Sequence, residues 1–150
     1  MTDSACKTVC GRRPLKLNAL AGLSMQRYWV ESDEVWSADD RGVIWRGRPD
    51  GKPAKVVVGI PGTDDAAVLL DAESGPRDEN GKLRTWPHLV RIRPTGEVVW
   101  RIAAGTGSGE RDWWTSLQVV EGALTANTWS CYYQTLDEKT GRVRSSTFTK

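Results

Sequence analysis

The sequence predicts an all-β protein: an antiparallel β-meander forming a small barrel or a partial propeller-like fold, with a polar N-terminal extension. Three observations predict it. From Arg27 onward, short apolar runs alternate with turns rich in Gly, Pro and Asp, which is the texture of many short strands. Tryptophan outnumbers phenylalanine eight to one. Its broad apolar ring and its N–H, which needs an acceptor, suit strand rims and partly open surfaces. Finally, one phrase is written nearly twice, as "DRGVIWR" at residues 40–46 and "PTGEVVWRI" at residues 94–102.

The elements follow in order. Residues 1–25 form a basic extension. Its first twenty residues set Lys7, Arg12, Arg13 and Lys16 against Asp3, a distribution that reads as a solvated tail. A short helix is expected near its end, at residues 15–24. One β domain then runs over residues 26–150. Strands are expected at residues 27–31, 34–38, 43–46, 55–59, 67–70, 88–93, 97–102, 117–120, 124–127, 130–135 and 142–147. Between them stand "DDRG", "RPDGKP", "PGTDD", "PTG", "EG" and "DEKTG", hairpin turns that place glycine where φ is positive. Two longer loops, residues 71–87 and 103–113, break the rhythm. Loops of that length in a compact domain are usually functional or disordered.

The repeated phrase sets the architecture. In "GEVVWRI", Val98, Trp100 and Ile102 alternate with Glu97, Val99 and Arg101, and a period of two assigns the first set to one strand face. Val43 and Trp45 alternate likewise. A third relative, "DEKTGRVRSSTF" at residues 137–148, keeps Gly141 and Val143 but carries Ser145 in place of tryptophan. Gly42, Gly96 and Gly141 are 54 and 45 residues apart, periods that belong to propeller blades and related β arrays.

"LVRIRPTGEVVWRI" and "WSCYYQTLDEKTGRVRSSTF" resemble the blade repeats of quinoprotein-like bacterial β-propellers. In those repeats a D-x-x-T-G turn leads into a short apolar strand that can end in Trp. "LDEKTGRV" matches that turn, and "RPTGEVVW" matches it with Arg93 in place of the aspartate. The resemblance covers half the chain and implies a fold rather than an activity. A closed propeller needs at least four blades, and eleven strands make fewer than three. The expectation is therefore closure within one chain as a small barrel or sandwich. Assembly of a ring from copies of the chain, or a homodimer through open sheet edges, is the alternative.

Composition bounds the function. A net charge of +2 is too small to favour a nucleic-acid partner. No run approaches the roughly 20 apolar residues of a membrane span. Arg12-Arg13 ahead of "PLKLNALAGLSM" resembles a twin-arginine export signal, but Lys16 and Asn18 interrupt its apolar region, and a cytoplasmic location is expected. Cys6, Cys10 and Cys131 are an odd set. Without a His cluster or a second Cys pair they imply neither a disulfide framework nor a metal site. No cofactor is expected. "GTGSGE" lacks the G-K-[ST] ending of a phosphate loop and reads as a flexible segment. His88, the lone histidine, reads as a surface or half-buried residue, and Cys131 as part of a strand.

Two groups of residues are candidates for binding. In "RDWWTS" adjacent tryptophans on a strand point to opposite faces. One of Trp113 and Trp114 thus enters the core while the other stands outside beside Arg111. Trp and Arg are the residue types most enriched at binding hot spots. The second group is an arginine face: if Val90, Ile92, Val98 and Trp100 point inward, Arg91, Arg93 and Arg101 share the outer side. The function expected is non-enzymatic recognition of another macromolecule, a protein partner of inhibitor, immunity or assembly type. One alternative is a carbohydrate-binding module that uses an exposed Trp. Another is a hydrolase using Asp39-Asp40 and Asp64-Asp65, although turns favour Asp for local hydrogen bonding alone.

Overall fold

The structure, a computed structural model, describes residues 26–105 and 111–149. The helix expected at residues 15–24, Cys6, Cys10 and most of "GTGSGE" lie outside the described residues. Among the described residues eleven strands form, one for each expected. The first sheet holds β1 (Arg27–Glu31), β2 (Glu34–Asp39) and β3 (Gly42–Gly47). The second holds β4 (Ala54–Gly59), β5 (Ala66–Leu70), β6 (Leu89–Ile92) and β7 (Val98–Ile102). The third holds β8 (Trp114–Val120), β9 (Ala123–Thr128), β10 (Tyr132–Leu136) and β11 (Val143–Phe148). Every pairing is antiparallel between neighbours in the chain, so each sheet is a meander.

The expected antiparallel β-meander forms as three separate sheets rather than as one closed barrel. The reason lies in β5. Its sequence AAVLL is buried at all five positions, so the second sheet needs cover on both sides. Ala66, Val68 and Leu70 join Val35, Val90 and Ile92 in one core, with Tyr28, Val30 and Trp45 of the first sheet packed against it. Ala67 and Leu69 face the other way, into a core with Leu89, Trp100, Trp114, Leu117, Leu124 and Leu136. Sheets stack face to face and bury these apolar sides, rather than closing edge to edge.

The repeated phrase is a repeated β-bulge. In the first sheet Ser37 pairs with Trp45 but Ala38 with Val43, leaving Ile44 unpaired. In the second, Arg91 pairs with Trp100 and Ile92 with Val98, leaving Val99. In the third, Thr135 pairs with Ser145 and Leu136 with Val143, leaving Arg144. A bulge adds one residue to one strand and so reverses the alternation beyond it. Val98 and Trp100 therefore face opposite cores instead of sharing a side.

The tryptophans of the phrase are joints. A Cβ built on Gly96 would enter the ring of Trp45, and one on Gly141 would stand 2.9 Å from the ring of Trp100. Each ring thus lies over the turn glycine of the following sheet. Trp100 also donates its indole N–H to the Glu138 carbonyl, 2.8 Å away in that next turn. Gly96 and Gly141 have φ of 90° and 80°, so they are glycine both for backbone conformation and for the ring above them. Trp100 is buried, whereas Trp45 is half-buried.

Candidate functional site

Because strand direction alternates, the connections fall at two ends. At one end are tight turns. At the other are the β1–β2 turn, the uneven connections 48–53 and 71–88, residues 103–105 and 111–113 flanking β7 and β8, and the short β9–β10 turn. This second end is the candidate recognition surface.

A buried aspartate organises it. Asp112 is 3% exposed. Its Oδ1 accepts from the Trp113 N–H at 2.9 Å and the Ser130 N–H at 3.2 Å, and its Oδ2 accepts from the Ser130 hydroxyl. Its own N–H donates to Thr85 Oγ1 at 2.9 Å, and the Thr85 hydroxyl donates back to the Asp112 carbonyl at 3.1 Å. One side chain and its backbone thereby tie together the loop before β6, the loop before β8 and the turn before β10. A buried carboxylate with this many donors is held rigidly.

His88 adds a second tie. It is 0% exposed rather than at the surface or half-buried as expected. Its Nδ1–H donates to the Leu70 carbonyl at 3.2 Å, and its Nε2 accepts the Trp114 N–H at 3.0 Å. The ring thus bridges the second and third sheets in its neutral form. Burial pushes its pKa below the ordinary value, against the smaller upward pull of the Leu70 carbonyl and Asp71.

Trp114 opens β8 and Trp113 is the last residue of the loop before it, yet the two rings still point to opposite sides. Trp114 is 2% exposed and donates its indole N–H to the Ile102 carbonyl at 3.2 Å. Trp113 is half-buried on the opposite side. Above it lies a residue that sequence reasoning missed. Trp129 is 61% exposed, packs against Trp113 with centroids 5.0 Å apart and ring planes tilted by 31°, and donates its backbone N–H to the Trp113 carbonyl at 2.9 Å. The expected strand at residues 130–135 starts late, at Tyr132, because Cys131 has φ of 76° and ends a turn. Cys131 is thus a turn residue, not a strand residue. The gap between the strands expected at 124–127 and 130–135 was the available signal: a tryptophan in a turn has no sheet face to enter.

Arg111 stands beside this surface. Its guanidinium donates to the Leu83 carbonyl at 2.9 Å and to Asp78 at 2.5 Å. That bond, with the Lys82 and Asn80 N–H groups, lowers the Asp78 pKa to about 2. Arg111 therefore clips the 71–88 loop to the one before β8 while remaining partly exposed.

The arginine face does not assemble. Register sets Arg91 opposite Trp100 and Arg101 opposite Val90, on opposite sides of the sheet, because of the bulge at Val99. Arg91 is largely buried in a 2.8 Å pair with Asp65 and also donates to the Glu138 carbonyl at 2.7 Å. Arg93 pairs with Glu97 at 3.2 Å. Arg101 grips Asp50 with two bonds of 2.7 and 2.8 Å. The aspartate turns are likewise engaged: Asp39 accepts the Arg41 N–H at 2.8 Å, and Tyr28 donates its hydroxyl to the Asp64 carbonyl. Among the described residues no cluster of His, Cys, Asp and Glu could hold a metal ion. No described helix is long and apolar enough to cross a membrane.

These features define an open row of antiparallel sheets with a loop-borne aromatic surface. The chain belongs to the family described as Domain of unknown function (DUF7957), whose profile matches residues 64–148. No curated protein matches it. Among solved structures it is similar to BamB from Moraxella catarrhalis, at 13% identity and a TM-score of 0.47 over 83% of this chain and 33% of that one. It is similar also to a protein of unknown function from Bacteroides caccae, at 12% identity and 0.45 over 83% and 42%. A computationally designed protein, Ika8, gives 6% identity and 0.46 over 82% and 36%. The chain thus spans between a third and under half of these proteins. The resemblance to β-propeller-like proteins is weak and is one of fold.

Proposed function

We propose that this chain is a non-enzymatic recognition domain whose partner, another protein, is held at the loop end. The observation that carries the reading is Trp129, exposed yet packed at a tilt against Trp113 above the Asp112 network. An aromatic anchor that is already ordered loses little conformational freedom on binding, and Trp is the residue most often found at the centre of such contacts. Arg111 at the margin adds a planar cation with donors to spare. The immunity, inhibitor or assembly roles expected from sequence are all compatible with such a surface.

The test is a photo-crosslinking residue at Thr115, which is exposed on the neighbouring strand, in cells of the native host. The expected result is a discrete crosslinked protein that disappears with Trp129→Ala and persists with Arg142→Ala at the opposite end. Retardation of the protein by a polysaccharide in affinity electrophoresis, abolished by Trp129→Ala, would instead assign the same ring to a sugar. Loss of neither signal on Trp129→Ala removes the surface from consideration.

A further inference from the structure

The side of the first sheet that faces away from the second has the chemistry of a buried interface. Aligning the bulges matches Trp29, Trp36, Ala38 and Val43 of the first sheet with Val68, Val90, Ile92 and Val98 of the second. All eight are apolar, and the second set lies against the first sheet in the core between them. On the first sheet, Val43 is 56% exposed, Trp29 and Trp36 are half-buried, and Ala38 is already buried between its strand neighbours. Trp29 and Trp36 stack on each other, centroids 5.8 Å apart and planes 17° apart. The Trp36 indole N–H is shielded from solvent and has no acceptor among the described residues. Whereas Gly96 and Gly141 each lie under a tryptophan, a Cβ on Gly42 would meet nothing within 4 Å.

The outward side of the third sheet is different. Opposite Leu124, Ala126 and Leu136, which face the core, the alternation sets Gln118, Thr125, Asn127, Thr135, Ser145 and Thr147, together with Tyr133 and, at one end, Val120 and Ala123. Most are hydroxyl or amide residues. The outward face of the third sheet is therefore mostly polar, whereas that of the first is apolar at its centre.

We propose that the outward face of the first sheet binds the same face of a second copy of this chain, about a two-fold axis. Three features choose this occupant. A head-to-tail copy would set the polar face of the third sheet against Trp29 and Trp36, with Ser145 where the joints elsewhere use tryptophan. The margin carries Arg27, Arg46, Glu31 and Glu34, two cations and two anions, so a two-fold copy can pair each with its opposite. Arg46 lies over the Trp36 ring at 4.9 Å and 3.8 Å from Glu34, which sets this charge pair at the edge of the aromatic patch. A face only three strands wide makes a small interface, so the dimer is expected to dissociate in the micromolar range.

The test is sedimentation of the full chain from about 1 to 500 µM, a range that brackets such an affinity. The expected result is a monomer–dimer equilibrium. Arg46→Glu should weaken it by roughly tenfold or more, by opposing like charges across the axis. Adding Glu34→Arg to that variant restores the opposite charges and should recover the affinity to within about threefold. Trp129→Ala, on the loop end, should leave it unchanged, so this inference and the recognition reading fail independently. A monomer throughout the range, or a loss on Arg46→Glu that the second change does not recover, overturns the proposal.

Discussion

The two ends of this molecule solve different problems. At the tight-turn end the same device recurs: a positive-φ glycine, a bulge, and a tryptophan lying on the next glycine. At the loop end nothing recurs. Asp112, His88 and Arg111 each join segments far apart in sequence, through contacts made once. The turn end sets the spacing of the sheets, and the loop end is shaped by its particular residues. Repetition serves packing, and its absence marks where the chain is free to specialise.

The strongest way to test that division is to remove a joint. Trp100→Ala should cost about 3–5 kcal/mol in urea unfolding, the range for a large buried aromatic. Trp45→Ala should cost less, because Trp45 is only half-buried. Equal losses would show that burial is not what distinguishes the two joints. At the loop end, Asp112→Ala should cost about 2–3 kcal/mol by leaving the Trp113 and Ser130 donors without their acceptor. Hydrogen exchange should then quicken at residues 129–131 and remain slow in β5.

Glycines sharpen the contrast further. Gly141→Ala meets the Trp100 ring as well as an unfavourable φ, while Gly42→Ala meets only the φ of 130°. The first should destabilise by about 1–2 kcal/mol more than the second. His88 supplies a pH signature. Its folded-state pKa lies below its ordinary value of 6.5, so the unfolded chain takes up a proton first. Stability should be full above pH 6.5 and fall below it, by at most about 1.4 kcal/mol per pH unit, until the folded pKa is passed. His88→Gln should remove that slope. The smallest effects belong to the surface: Arg111→Ala within about 1 kcal/mol and Trp129→Ala within about 0.5 kcal/mol of wild type. A large loss of stability in Trp129→Ala would assign that ring to packing rather than recognition.

The legibility of the sequence follows the same division. Strand order, the turns and the kinship of Trp45 with Trp100 were readable because each depends on neighbours within a few residues. The bulges were not. Inserting Ile44 or Val99 changes no local pattern, yet it reverses which core Val98 and Trp100 face. Arg91 could not be told from an exposed arginine without its partner Asp65, 26 residues away. His88 and Asp112 were missed for the same reason, since their burial comes from segments that meet only in the folded chain. Arg111 and the Trp113–Trp114 pair stood out because they lie side by side in the sequence.

Two close indole pairs, one stacked and one tilted, give the protein an optical label at each place where a partner is proposed. Trp113 and Trp129 lie 5.0 Å apart on the loop end, and Trp29 and Trp36 lie 5.8 Å apart on the first sheet. Rings that close couple their strong far-ultraviolet transitions, so each pair contributes to the circular dichroism of the folded chain. A ligand that wedges between one pair, or tilts it, removes that pair's contribution, and difference spectra of Trp29→Phe and Trp129→Phe identify which pair has changed.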